Sequence, residues 1–207
     1  MRRHIALFDL DGVILDTENY YTQLWSDLGE YFFNEKNFGI KIKGQTLVKI
    51  MDDYFPSMSD RKIIIDKLDD FERNMPYDYV PGAEEFILGL KSLGIKSAVV
   101  TSSNQVKMEN VYRKHPDFRT MFDHILTSED FNESKPSPEC YLTGMRLLGG
   151  GPDDSVVFED SLSGLQSGKS SGAFVVGLTT TNSPETVSKY ADLVIPNFTG
   201  FQPETLF

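Results

Sequence analysis

Residues 5–18 read Ile-Ala-Leu-Phe-Asp-Leu-Asp-Gly-Val-Ile-Leu-Asp-Thr-Glu, and this stretch decides the fold. Its first four residues form an apolar run that is too short for a helix and predicts a buried parallel strand. The run ends at Asp9, which is followed by a second carboxylate at Asp11 and by Gly12. In open α/β sheets, ligands bind beyond the carboxyl ends of the strands. Two carboxylates there cost free energy unless a cation or substrate chemistry compensates them, so the stretch predicts a functional site.

The composition narrows the classes of function that the chain can have. Its 207 residues and its 40% share of hydrophobic residues suffice for one ordinary domain with an insertion. The formal net charge is −11 and no block of basic residues stands out, which argues against nucleic acid and anionic membrane surfaces as partners. No apolar stretch is long enough to cross a bilayer. Cys140 is the single cysteine, so no intrachain disulfide can form, which suits a reducing compartment, and we expect a cytoplasmic location. For the oligomeric state, a monomer is the default expectation.

The periodicity of the sequence after residue 16 indicates a separate helical insertion. Apolar residues recur there at spacings of three and four, which is typical of amphipathic helices. The predicted helices cover residues 17–33, 45–54 and 59–74. The polar, glycine-containing segment 34–44 predicts a loop. We therefore expect an all-helical domain over residues 17–77.

Beyond this insertion, predicted helices alternate with short apolar strands. Such alternation predicts a parallel sheet covered by helices on both faces. The predicted strands cover residues 5–8, 96–100, 124–127, 156–158, 174–178 and 193–195. The predicted helices cover residues 83–93, 137–148 and 161–170, with two more beginning at Asn104 and Pro184. We expect an α/β fold with a three-layer, Rossmann-like parallel-sheet core formed by residues 1–16 and 78–207.

Hydroxyl side chains follow the predicted strand 96–100, in the order Thr101-Ser102-Ser103-Asn104. A hydroxyl group and the N–H groups that open the next helix can bind phosphate oxygens. Ser and Asn are also favoured as ordinary helix N-caps. Taken alone, this motif leaves phosphate binding and helix capping open.

Lys135 is followed by Pro136, Ser137 and Pro138. The two prolines fix the backbone at the start of a helix and so orient the lysine side chain. A surface lysine before a helix would give the same pattern. The pattern alone therefore does not separate an active-site lysine from an exposed one.

The apolar strand 156–158 ends in the paired carboxylates Glu159 and Asp160. A hard dication such as Mg²⁺ prefers oxygen ligands and usually takes one or two carboxylates with substrate phosphate and water. Asp160 suits a direct ligand, and Glu159 suits either a second ligand or an outer-shell group that holds a metal-bound water. Capping of the next helix by Asp160 is the structural alternative.

The motifs that begin at Asp9, Thr101, Lys135 and Glu159 occur in one order along the chain. In this order they resemble motifs I to IV of the haloacid dehalogenase superfamily, the aspartate-nucleophile phosphatases and phosphomutases. Within the superfamily the chain is similar to the β-phosphoglucomutase-like group, whose members carry a helical cap inserted after motif I. The resemblance covers nearly the whole chain. It implies an enzyme that uses Mg²⁺ and acts on a small phosphorylated metabolite.

The resemblance also implies a role for each motif residue. Asp9 would attack phosphorus and form an aspartyl-phosphate, and Asp11 would protonate the leaving oxygen and then deprotonate the attacking water. Thr101 would bind the phosphate, and Lys135 would neutralise the aspartate and the phosphoryl group. The implied metal ligands are Asp9, Asp11 through its backbone carbonyl, Glu159 and Asp160. The implied substrate-binding residues are Gly12, Lys43, Gly44, Ser102, Ser103 and Asn104.

Two departures from the β-phosphoglucomutase pattern favour hydrolysis. Leu47 occupies the position where those mutases carry an arginine that holds a second phosphate, and leucine cannot bind a dianion. Asn104 occupies the position of a lysine in the mutases. Haloacid dehalogenation is disfavoured because dehalogenases lack the second aspartate, which is Asp11 here. We predict a Mg²⁺-dependent phosphatase of a small phosphate monoester such as a sugar phosphate, with a phosphosugar mutase and a catalytically silent phosphate-binding protein as alternatives.

Overall fold

The computed structural model describes residues 3–43 and 47–207, which form two compact units. The first, here called the core unit, contains the chain up to residue 16 together with residues 77–207. The second, here called the helical unit, contains residues 17–76. Tyr77 thus belongs to the core unit, one residue away from the boundary expected from the sequence.

The core unit is built on a parallel sheet that has six strands among the described residues. The strands are β1 (Ile5–Phe8), β2 (Lys96–Val100), β3 (His124–Leu126), β4 (Ser155–Glu159), β5 (Phe174–Leu178) and β6 (Leu193–Ile195). Their order across the sheet is β3-β2-β1-β4-β5-β6. The predicted Rossmann-like α/β fold is confirmed.

The helical unit contains four helices in the part of it that the structure describes. They are α1 (Glu18–Phe33), α2 (Phe38–Lys41), α3 (Leu47–Tyr54) and α4 (Met58–Asn74). The short helix α2 lies in the segment 34–44, where the prediction of a loop was wrong. Its Phe38 is fully buried, with its ring 6.4 Å from that of Trp25 and 6.1 Å from that of Phe55. Burial of this aromatic side chain stabilises a helical turn that its polar neighbours do not predict.

Helices and short 3₁₀ turns complete the core unit. The helices are α5 (Ala83–Ser92), α6 (Gln105–Lys114), α7 (Glu139–Leu148), α8 (Leu162–Ser170) and α9 (Pro184–Val187). The 3₁₀ turns cover Phe118–Thr120, Pro152–Asp154 and Pro203–Thr205. Among the helices that the structure describes in both units, none has the length and apolar character needed to span a membrane.

Strand β1 lies at the centre of the sheet, and all four of its residues are fully buried. Neighbouring side chains of a strand point to opposite faces. On one face, Leu7 belongs to an apolar cluster that includes Met145 of α7. On the other face, the ring of Phe8 stacks on that of Phe158, with centroids 4.5 Å apart, and meets the edge of Phe86 from α5. Burial of each such side chain contributes about 1.5–3 kcal/mol to the stability of the fold. The motif that follows β1 is therefore attached to a well-packed strand.

Parallel pairing places the carboxyl ends of β1, β2 and β4 side by side. Phe8, the last residue of β1, pairs with Val99 in β2 and with Phe158 in β4. Asp9 and Thr101 therefore follow neighbouring strands at one edge of the sheet, beside Glu159 at the end of β4.

Candidate active site

Asp9 follows β1 directly and continues its pairing, since its backbone N–H donates to Phe158 O at 3.0 Å. The residue is 9% exposed. Burial raises the pKa of Asp9 to about 7, because removal from water disfavours the charged carboxylate. The Lys135 ammonium opposes this shift, and the carboxylates of Glu159 and Asp11 add to it. Asp9 is thus a desolvated carboxyl group among other charges.

Lys135 is buried and its ammonium group is fully hydrogen-bonded. Its Nζ donates to Asp9 Oδ1 at 2.5 Å, to Glu159 Oε1 at 2.7 Å and to Val100 O at 3.1 Å. Burial by itself lowers the pKa of Lys135, but the carboxylates of Asp9 and Glu159 outweigh it and hold that pKa well above its ordinary value. Lys135 therefore stays charged, and the alternative of an exposed surface lysine is wrong.

Glu159 has no exposed surface and accepts hydrogen bonds at both carboxylate oxygens. Oε1 accepts from Lys135 Nζ at 2.7 Å and from the Tyr141 hydroxyl at 2.8 Å. Oε2 accepts from Asp160 N at 3.0 Å and from the backbone N and Oγ of Ser161, both at 3.1 Å. A carboxylate offers about four lone-pair sites, so these five donors occupy it fully. Of the two roles left open by the sequence, this arrangement favours the outer-shell role.

Asp160 follows β4 and is 1% exposed. Its Oδ2 accepts a hydrogen bond from Thr181 Oγ1, and its backbone O accepts one from Asn182 Nδ2 at 2.8 Å. In the same loop, Thr180 Oγ1 donates to Gly12 O at 2.6 Å. These three loop residues were not predicted from the sequence. The available signal was the polar run Thr-Thr-Thr-Asn-Ser over 179–183, directly after β5.

Gly12 is a point of close approach between the first and fourth motifs. Its φ is +75°, and a Cβ built on it would lie 2.1 Å from Asp160 Oδ2. Only glycine combines this backbone conformation with such a short separation. Gly12 therefore allows the first motif to pack closely against Asp160. Contact between Gly12 and a substrate stays a prediction.

The Asp11 side chain is held by residues that follow β2. Lys107 Nζ donates to both Asp11 carboxylate oxygens at 2.7 Å, and Ser103 Oγ donates to Oδ2 at 3.0 Å. Lys107 is only 6% exposed and was not predicted from the sequence as a site residue. No sequence pattern distinguishes this lysine from a solvent-exposed one in the same helix.

The Thr101-Ser102-Ser103-Asn104 motif links β2 to α6. Thr101 is buried, and its Oγ1 accepts from the backbone N–H of Ser103 at 3.0 Å, whereas Ser102 is exposed. Asn104 is the N-cap of α6, with Oδ1 accepting from Lys107 N at 2.9 Å. The capping alternative is therefore correct for Asn104. Phosphate binding by Thr101, Ser102 and Ser103 and substrate binding by Asn104 stay predictions.

Two predicted substrate-binding residues fall in the segment of the helical unit that precedes α3. Lys43 is exposed, and its Nζ lies 3.8 Å from Glu18 Oε2. Gly44 lies outside the described residues. The helical unit has a cavity of about 230 Å³, whose lining includes the polar residues Glu18, Tyr21, Lys43 and Glu72 and the apolar residues Trp25 and Leu68.

Three carboxylates of the core unit lie close enough to form a metal site, in which Asp9 and Asp160 could be direct ligands and Glu159, whose oxygens accept from other donors, an outer-shell group. Ligand oxygens of Asp9, Glu159 and Asp160 all lie within 4.8 Å of one another, the one such group within residues 3–43 and 47–207. Hard oxygen donors at this spacing suit a divalent cation. The Asp11 side chain is not in this group, and ligation by its backbone carbonyl stays a prediction.

The family model of the haloacid dehalogenase-like hydrolases matches residues 6–178 of the chain. The chain belongs to this family. Among curated proteins, this haloacid dehalogenase-like hydrolase is 26% identical to (DL)-glycerol-3-phosphatase 1, mitochondrial, of Arabidopsis thaliana, over 96% of this chain and 72% of that protein. It is 27% identical to validoxylamine A 7'-phosphate phosphatase of Streptomyces hygroscopicus subsp. limoneus, over 94% of each.

A solved structure shares the fold of this haloacid dehalogenase-like hydrolase. The crystal structure of β-phosphoglucomutase from Clostridium difficile superimposes with a TM-score of 0.77, covering 98% of this chain and 95% of that one. The two sequences are 23% identical. The predicted similarity to the β-phosphoglucomutase-like group is confirmed at the level of fold.

Proposed function

We propose that this haloacid dehalogenase-like hydrolase is a Mg²⁺-dependent phosphatase. It hydrolyses a small phosphate monoester, a sugar phosphate or a similar metabolite, through an aspartyl-phosphate intermediate, as a cytoplasmic monomer. One observation carries the proposal: the buried Asp9 carboxylate lies 2.5 Å from the Lys135 ammonium and within one carboxylate group with Glu159 and Asp160. This arrangement offers a nucleophile, a fixed positive charge and oxygen ligands for a dication at one place.

In the first step, an oxygen of the Asp9 carboxylate bonds to phosphorus while the bond from phosphorus to the leaving oxygen breaks. The Asp11 carboxyl group gives its proton to that oxygen. In the second step, a water oxygen bonds to phosphorus, the bond to Asp9 breaks, and Asp11 takes the proton of the water. Asp9 and Asp11 return to their starting states.

The charges around Asp9 support this chemistry. Lys135 stays protonated and offsets the negative charge that gathers when a phosphate ester meets a carboxylate. Asp9 and Asp160 suit the direct ligands of Mg²⁺, which when bound supplies further positive charge for the phosphoryl oxygens. Glu159 keeps Lys135 and the backbone N–H of Asp160 in place through its hydrogen bonds. Phosphoryl transfer requires mainly such positioning and electrostatic stabilisation.

The helical unit supports a substrate with hydroxyl groups and a single phosphate. Its cavity carries the carboxylates of Glu18 and Glu72 and the hydroxyl of Tyr21, against the one ammonium of Lys43. Carboxylates accept hydrogen bonds from hydroxyl groups and repel a second phosphate. Together with Leu47, this polarity favours hydrolysis over a mutase reaction that uses a bisphosphate.

The test is phosphate release from a panel of small phosphate monoesters, first with Mg²⁺ and then with a chelator. We expect metal-dependent release from one or a few alkyl esters, and none from the Asp9→Asn variant. Activity only on hexose phosphates primed with a bisphosphate would support the mutase instead. No turnover of any ester with Mg²⁺, or turnover by Asp9→Asn equal to that of the wild type, would overturn the proposal.

A further inference from the structure

A second buried lysine contacts the Asp-x-Asp motif. Lys107 Nζ lies 2.7 Å from both carboxylate oxygens of Asp11, and Lys107 is 6% exposed. Lys135 contacts Asp9 but is not the residue that holds the Asp11 side chain. The two aspartates of the motif are thus paired with two different lysines.

The start of α6 fixes where Lys107 points. Asn104 caps the helix by accepting a 2.9 Å hydrogen bond from the backbone N–H of Lys107. The Ser103 hydroxyl, one residue earlier, donates to Asp11 Oδ2 at 3.0 Å. One short segment after β2 therefore contacts the Asp11 carboxylate through a hydroxyl and an ammonium group. These contacts restrict rotation of the carboxylate about its side-chain bonds.

A purely structural ion pair is a poor explanation for this contact. Burial of two charged groups costs desolvation free energy, and such a pair is often no more stabilising than apolar residues of similar size. The Asn104 cap already stabilises the start of α6 without the Lys107 side chain. The contact is more easily explained by a need for a fixed orientation of Asp11.

We propose that Lys107 is a positioning residue that orients the Asp11 carboxyl group for proton transfer. The inference rests on the proposed function. The same carboxyl group must reach the leaving oxygen in the first step and the attacking water in the second, so its orientation bears on both steps. Lys107 acts through Asp11 and does not itself touch the reacting phosphoryl group.

The test is a double-mutant cycle with Lys107→Met, Asp11→Asn and the combined variant. The rate of phosphoenzyme formation is measured in single turnovers with excess enzyme and Mg²⁺. Two esters are compared: p-nitrophenyl phosphate, whose leaving group departs without a proton, and the alkyl monoester that the wild type hydrolyses fastest. Lys107→Arg tests rescue, and Lys114→Met is the control, because Lys114 is exposed at the end of the same helix.

We expect Lys107→Met to lower the rate of phosphoenzyme formation from the alkyl ester by tenfold or more, since general acid–base catalysis accelerates such reactions by about 10²–10⁴-fold. With p-nitrophenyl phosphate, Lys107→Met should lower the rate of phosphoenzyme formation by less than about threefold. In the Asp11→Asn background, Lys107→Met should lower the rate for the alkyl ester by less than a further factor of about two. Lys107→Arg should recover part of the alkyl-ester rate, and Lys114→Met should match the wild type.

Several results would overturn the inference. Independent losses from the two substitutions, or equal losses on both esters, would show that Lys107 does not act through Asp11. A higher KM with unchanged kcat would assign Lys107 to substrate binding instead. If Lys107→Met does not fold by circular dichroism, Lys107→Gln takes its place in the same cycle. If the wild type turns over no ester, both the proposed function and this inference are wrong. If the wild type is active but the rate losses of the two single variants add in the double variant, only the inference is wrong.

Discussion

The Tyr141 hydroxyl donates a 2.8 Å hydrogen bond to Glu159 Oε1, and both side chains are fully buried. The Lys135 ammonium shares the same oxygen and lies 4.9 Å from the centre of the Tyr141 ring. A residue that looks like ordinary core in the sequence therefore belongs to the group of side chains that holds Lys135.

Tyr141→Phe removes this hydroxyl and keeps the ring. We expect the free energy of unfolding to fall by about 1–3 kcal/mol, because a buried carboxylate loses a donor. Burial and the Glu159 carboxylate hold the pKa of Tyr141 well above 10, so the hydroxyl stays protonated and the loss should be the same at pH 6 and pH 9. Urea unfolding measures it. Tyr31→Phe, at a position 71% exposed, should change little, and an equal effect at both positions would contradict the prediction.

Gly12→Ala separates a clash in the site from backbone strain. The new Cβ would lie 2.1 Å from Asp160 Oδ2, at a φ of +75°. Gly94→Ala is the matched control, with a φ of +70° and no atom within 4 Å of the new Cβ. Both variants should lose about 1–2 kcal/mol of stability from the left-handed backbone. We expect only Gly12→Ala to lose phosphatase activity, by tenfold or more, and equal activities for the two variants would argue against a close-approach role.

Thr181→Val removes the hydroxyl that donates to Asp160 Oδ2 and preserves the shape of the side chain. Groups that orient metal ligands typically affect metal affinity by about 10–100-fold. We therefore expect weaker Mg²⁺ binding in isothermal titration calorimetry, with the fold unchanged. Thr199→Val, at an exposed position in the same unit, is the control and should bind Mg²⁺ as the wild type does. An unchanged Mg²⁺ affinity in Thr181→Val would show that Thr181 does not orient a metal ligand.

Asp9→Asn should change the pH dependence of stability as well as abolish turnover. The pKa of Asp9 is raised from 3.8 to about 7 in the folded chain, chiefly by burial. Between these two values the folded state keeps a proton that the unfolded state has released, so stability falls as the pH rises through this window. With a chelator present, we expect the free energy of unfolding of Asp9→Asn to increase relative to that of the wild type as the pH rises from 4 to 8. Parallel curves from chemical denaturation would contradict this.

The fold and much of the site follow from features that the sequence displays directly. A buried parallel strand is a short apolar run, and the residue after it lies at the edge where ligands bind, which identified Asp9, Thr101 and Glu159. The identity of the substrate does not follow in the same way, because no sequence pattern of the predicted substrate-binding residues specifies which phosphate monoester they would bind. The loop residue Gly44 lies outside the described residues as well.

Lys107, Tyr141 and Thr181 could not be predicted because their roles depend on three-dimensional neighbours. A lysine at the third position of a helix is normally solvated, and only the path of the chain after β2 brings Lys107 to Asp11. Tyr141 has the helical spacing of a core residue, and burial alone does not reveal its hydrogen bond to Glu159. Thr181 lies in a polar loop whose composition is that of an ordinary turn.

The core unit is assembled from two segments of chain, and this has a consequence for biosynthesis. Strand β1 leaves the ribosome before both of its neighbours in the sheet, because Ile5 pairs with Lys96 in β2 and with Ser155 in β4. The helical unit is continuous in sequence, so it can fold while β1 still lacks both neighbours. A nascent chain therefore exposes Asp9 before Glu159 has been made, so the carboxylate surroundings of Asp9 can form only after β4 has been synthesised.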